Sequence, residues 1–148
     1  MPQVDFHSGV DAPLHFACRL LRKACRQGVT VLVTAPPDTL AALDRELWTF
    51  EAQEFVPHLR LRPGQAVDAA LSRTPIWLCA GEPPSPCPKV LVNLDAELPE
   101  GSGPFERIIE IVPSEGEERQ RARARWRAYE ARGWSICHHT HGAERNPR

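Results

Sequence analysis

No apolar run in this 148-residue chain approaches the roughly 20 residues that span a bilayer. No membrane-crossing helix is expected. The opening MPQVDFHSG has no basic segment followed by an apolar one, so it does not read as a signal peptide. No G-x-G-x-x-G follows the first apolar stretch; the turn there reads HSGVDAP. Neither G-x-x-x-x-G-K-[ST] nor G-x-S-x-G occurs. Without such glycines a backbone cannot come close to a phosphate. Without the elbow no serine nucleophile is presented. No paired-carboxylate constellation appears, so no catalytic activity is expected. The chain also lacks internal repeats and a linker. Its formal net charge is -1, which argues against general coating of nucleic acid. The five cysteines are odd in number and scattered, as reduced thiols in the cytosol are. Cys18 and Cys25, beside Leu14 and Leu21 on one helix face, read as small buried hydrophobes.

A chain of this size is one domain and buries roughly 70% of its unfolded surface on folding. Strand and helix signals alternate along it. Val4 to Ser8 reads as a first strand and Ala12 to Gln27 as a helix stopped by Gly28. VTVLVT, Val29 to Thr34, is a buried strand, and Asp38 caps a second helix bearing Leu40, Leu43, Leu47 and Trp48. Glu51 to Gly64 reads as irregular, and Ala66 to Arg73 as a short helix. Further strands are Pro75 to Cys79, Lys89 to Leu94 and Arg107 to Val112. Ser114 with Glu117 matches a capping box at the start of a last long helix, which Gly133 stops. Trp134 to His139 is a final short strand. The expected architecture is a single three-layer α/β domain with a mostly parallel sheet. It spans residues 1–140, followed by a frayed tail over 141–148.

Cys137, His138, His139 and His141 are the one cluster of ligand-type side chains. A zinc site wants two separated pairs, and adjacent residues on a strand point to opposite faces. No metal and no cofactor are expected. The last helix is more informative. Between Arg119 and Arg132 it carries six arginines and one acid, Glu130, with Trp126 and Tyr129 among them. On a helical wheel Arg119, Arg123 and Arg127 form one row, with Trp126 beside it. Arg121, Arg125 and Arg132 form an opposite row. Ala124, Ala128 and Ala131 form a small-residue stripe suited to packing on a sheet. Two readings stand side by side. One is a solvated helix whose arginine stems cover its flanks. The other is a site for an anionic peptide or phosphate, since arginine makes forked bonds to carboxylates.

The order LDRELW, FVPH, FERIIEIVP and RARWRAYEARGW resembles the chi subunit family of bacterial DNA polymerase III holoenzyme, over nearly the whole chain. The resemblance implies a fold like nucleotide-binding (Rossmann-like) domains without that activity. It implies a non-enzymatic accessory subunit of the clamp loader, in the cytoplasm, meeting nucleic acid only indirectly. The implied partners are the acidic, phenylalanine-ended C-terminal tail of single-stranded DNA-binding protein, the psi subunit, and an iron–sulfur repair helicase. Carried over by motif, the tail site comprises Arg123, Trp126 and Arg127, with Val112 and Pro113 as floor. The surface for psi or the helicase comprises Trp48, Phe55, Val56 and Pro57. Trp48 and Phe55 also fit as buried anchors. The competing function is direct binding of single-stranded nucleic acid by the same arginines.

Overall fold

The computed structural model describes residues 3–49, 56–62, 65–81, 83–84, 86–97, 105–114 and 116–141. Phe55, Glu115 and most of the expected tail lie outside the described residues. Among the described residues seven strands form one sheet: β1 (Gln3–Val10), β2 (Val31–Thr34), β3 (His58–Leu61), β4 (Ile76–Cys79), β5 (Val90–Asn93), β6 (Arg107–Pro113) and β7 (Ser135–Thr140). Their order is β3-β4-β2-β5-β6-β1-β7, and every pairing is parallel. The helices are α1 (Pro13–Arg26), α2 (Pro37–Thr49) and α3 (Glu117–Ala131). Among the described residues no helix is long and apolar enough to cross a membrane.

The strand compositions follow from burial on both faces. VLVT in β2 and IWLC in β4 are buried at all four positions, as continuous apolar strands of a covered parallel sheet are. One face packs Val31, Val33, Ile76, Leu78, Ile109 and Ile111 against Leu21 of α1 and Leu40, Leu43 and Leu47 of α2. The other packs Val4, Phe6, Leu91, Ile108 and Val112 against Ala122 and Tyr129 of α3. The domain therefore has three layers. Cys18 is fully buried, as read from its helix face. Burial first, and then Glu46, pushes its thiol up to about 12.

Several local expectations are corrected. His58–Leu61 is an edge strand, not irregular chain, with Leu59 paired to Trp77. Only its long-range partner makes HLRL a strand. The helix expected over Ala66 to Arg73 shrinks to a 3-10 turn at Leu71–Arg73, fixed by Asp68 accepting the Leu71 N–H. Asp38 is not a cap, because α2 starts one residue earlier at Pro37, where a proline's missing N–H costs nothing. Ser114 caps nothing either. Gly116 takes the cap position at φ 105°, and no side chain bonds there.

The face of α3 is corrected too. Ala124, Ala128 and Ala131 are exposed, whereas Ala122 and Tyr129 are buried and Arg125 is half-buried. The cause lies in the sheet. Glu110 of β6 is fully buried and accepts from Arg125 Nε and Nη2 at 2.9 and 3.0 Å. Asn93 Nδ2 at 3.0 Å and the Tyr129 hydroxyl complete its shell. A buried carboxylate needs a cation and several donors. It turns Arg125 inward and sends the alanines to the surface. Burial alone would lower the Arg125 pKa, but the Glu110 charge and hydrogen bonds raise it. Burial and Glu110 together hold the Tyr129 hydroxyl protonated well above its usual range.

Candidate functional site

The arginines of α3 divide by what they touch. Arg121 makes a forked pair with Asp95, at 3.0 and 2.7 Å. Asp95 sits at φ 66°, a conformation that aspartate tolerates. Arg125 is committed to Glu110, and Arg132 lies over the Trp134 ring at 5.0 Å. Arg119, Arg123 and Arg127 are exposed, and among the described residues no carboxylate pairs with them. Arg121 and Arg125 are thus paired with carboxylates of the protein itself, and among the described residues Arg119, Arg123 and Arg127 are not.

The row of Arg119, Arg123 and Arg127 borders a cavity of about 440 Å³ between α3 and the β6-β1-β7 side of the sheet. Its walls include Phe6, Val112, Arg123, Trp126, Arg127 and His138. Parallel pairing sets Phe6 directly beside His138. Trp126 meets the Phe6 ring edge-on at 4.8 Å and the His138 ring at 5.2 Å. Ser8 Oγ holds His138 Nε2 at 2.7 Å and fixes that ring. The result is an aromatic wall with cations along its rim. It can take an apolar ring inside and carboxylates at the edge.

The structure brings Val112, Arg123, Trp126 and Arg127 together there. It does not bring Pro113. Successive strand residues face opposite ways, and Pro113 lines a depression on the α1–α2 face with Leu14 and Ala42. Phe6 and Ser8 join the cavity, as does His138, which the sequence groups only with the ligand-type cluster near the end of the chain. They come from strands at opposite ends of the chain, and only their pairing joins them. Arg119 was visible in the i, i+4 row but was not assigned to the site.

The second expected surface divides in the same way. Trp48 is 61% exposed at the end of α2. Its ring meets His58 edge-on at 5.2 Å. His58 is held between the Val56 carbonyl at 2.8 Å and Asp44 Oδ1 at 2.7 Å. Val56 itself is 1% exposed and belongs to the core with Leu43 and Leu47. It anchors this loop from beneath and offers no surface. Pro57 is half-buried. Trp48 also lines a shallow groove with Leu14, Ala42 and Arg45.

Residues 1–137 match the family described as DNA polymerase III chi subunit, HolC. The DNA polymerase III subunit chi of Pseudomonas aeruginosa is 35% identical over 144 residues, covering 94% of this chain and 96% of that relative. The subunit chi of Haemophilus influenzae is 32% identical over 124 residues, with 81% of each chain covered. That of Escherichia coli is 25% identical over 130 residues, covering 86% of this chain and 85% of the relative.

Proposed function

Because the chain belongs to the DNA polymerase III chi subunit family, we propose that it is a non-enzymatic adaptor of the clamp-loader complex, working in the cytoplasm. It binds the acidic, phenylalanine-ended tail of single-stranded DNA-binding protein in the cavity under α3. The observation that carries this reading is the row of three arginines without acid partners among the described residues, beside an apolar aromatic wall. A terminal phenylalanine brings a ring and a carboxylate together, and the cavity offers a partner to each. On α3, Arg121, Arg125 and Arg132 are engaged within the protein, which leaves a short cationic strip on that helix. That suits a peptide end better than a long run of phosphates, whose binding draws on many cations. A pull-down with the cognate single-stranded DNA-binding protein tests the reading. Capture of the intact protein, lost when its last residues are removed, is the expected result.

Trp48 and Pro57 form the surface for psi or a repair helicase, with Phe55 as a neighbouring contact in sequence. Exposed tryptophan is a frequent anchor of binding energy. Trp48→Ala is expected to leave the melting temperature nearly unchanged and to weaken capture of that partner by about 2 kcal/mol. Unfolding of the variant would make Trp48 a structural residue instead.

Nucleotides are not ligands in this reading. Gly9, in the turn after β1, has φ 71°, and a Cβ there would lie 2.6 Å from the His141 carbonyl oxygen. This glycine makes room for the end of β7. Millimolar ATP, GTP or dinucleotide is expected to leave the melting temperature unmoved. A saturable rise would contradict the non-enzymatic reading.

A further inference from the structure

The face of β1 and β7 opposite the aromatic cavity carries an array of ligand-type side chains. Parallel register sets Asp5 beside Cys137 and His7 beside His139. Alternation puts these four on one face of the sheet, while His138 goes to the other. One ligating atom each from Asp5, Cys137 and His139 lies within 4.8 Å of the other two. We propose that Asp5, Cys137 and His139 form a binding site for a divalent transition-metal ion of the zinc type.

The geometry around these groups is that of a prepared site. Asp5 Oδ1 and His139 Nε2 stand 3.3 Å apart. That is long for a charge-assisted hydrogen bond. It matches the separation of about 3.3 Å that two ligand atoms take around one ion at bond lengths of roughly 2.0–2.1 Å in a tetrahedron. The second oxygen of Asp5 accepts from Arg107 Nε at 2.7 Å, which orients the carboxylate. The His139 ring stacks on His7 at 4.5 Å and 14°. His7 in turn is hydrogen-bonded to His141 at 2.9 Å. Asp5 and His139 are therefore each held by a neighbour that does not itself ligate.

The donor set selects the ion. A thiolate with an imidazole suits zinc, cobalt and their neighbours, while magnesium and calcium prefer oxygen alone. Three protein ligands leave a fourth coordination position, as open zinc sites do. On binding, the Cys137 thiol gives its proton to solvent and its sulfur bonds the ion, with no change of oxidation state. The ion joins the edge strand β7 to β1. In the sequence, four ligand-type side chains crowd into five residues, a spacing that argues against a zinc site. The structure resolves the crowding by alternation. Cys137 and His139 share one face, His138 takes the other, and Asp5 supplies the distant ligand.

The test uses the full chain after dialysis against a chelator, titrated with Co²⁺ and then Zn²⁺. One equivalent of Co²⁺ is expected to give thiolate-to-cobalt charge-transfer absorption, which Zn²⁺ then abolishes. Cys137→Ser is expected to remove that absorption and weaken Zn²⁺ binding at least tenfold. His139→Gln is expected to weaken it comparably. Both side chains are at least partly exposed, so these variants should fold, and far-UV circular dichroism checks it. His138→Gln, on the other face, should retain one equivalent. No charge-transfer absorption in the wild type, absorption that survives Cys137→Ser, or Zn²⁺ binding left unchanged by His139→Gln, would overturn the site.

Discussion

Arg125→Ala is expected to destabilise the fold strongly. Glu110 is fully buried, and Arg125 is its cation, bonded through two nitrogens. Removing one member of a buried pair leaves the other charge uncompensated and costs about 3–5 kcal/mol. Asn93 and Tyr129 remain as donors to Glu110, which favours the lower end. A loss of about 3 kcal/mol corresponds to a fall of roughly 6–12 °C in melting temperature for a domain of this size. Denaturant unfolding measures it. Adding Glu110→Gln to Arg125→Ala removes the orphan charge and should recover at least about 1 kcal/mol. A loss below about 1 kcal/mol for Arg125→Ala, with no recovery in the double variant, would contradict a stabilising role for the Arg125–Glu110 pair.

The same pair marks where sequence reading reached its limit. The strands were legible because β2, β4, β5 and β6 are short apolar runs between glycines and prolines, and both faces of a parallel sheet demand such runs. The row of Arg119, Arg123 and Arg127 was legible from helical spacing alone. Which side of α3 meets the sheet was not. An acid inside RIIEIV gives no local sign that it will recruit an arginine from the next helix. Periodicity therefore favoured the alanines over Arg125 as the packed face. The floor of the cavity was half legible. Val112 and Pro113 are adjacent, and only the strand's phase decides which of them faces α3. Phe6 and His138 could not be paired without the strand order, which places β1 between β6 and β7.

The exposed arginine row carries the functional account. Arg123 and Arg127 lie one helical turn apart on the rim of the aromatic cavity, so both can reach one peptide end. Each charge-assisted hydrogen bond contributes roughly 1.5–3 kcal/mol. Arg123→Ala or Arg127→Ala should therefore weaken tail binding by about tenfold or more. Both side chains are exposed and unpaired with described carboxylates, so stability should change by less than about 0.5 kcal/mol. Raised salt should weaken the wild-type complex. Arg121 is the proper control, because Asp95 already occupies its guanidinium. Arg125 cannot serve, since its loss perturbs the fold.

The most direct test is titration of a tail peptide of single-stranded DNA-binding protein with the wild type and the Arg121→Ala, Arg123→Ala and Arg127→Ala variants, at one salt concentration. The account predicts near-wild-type affinity for Arg121→Ala and losses of about tenfold or more for the other two. Equal losses in all three, or no loss in Arg123→Ala and Arg127→Ala, would contradict a shaped site under α3.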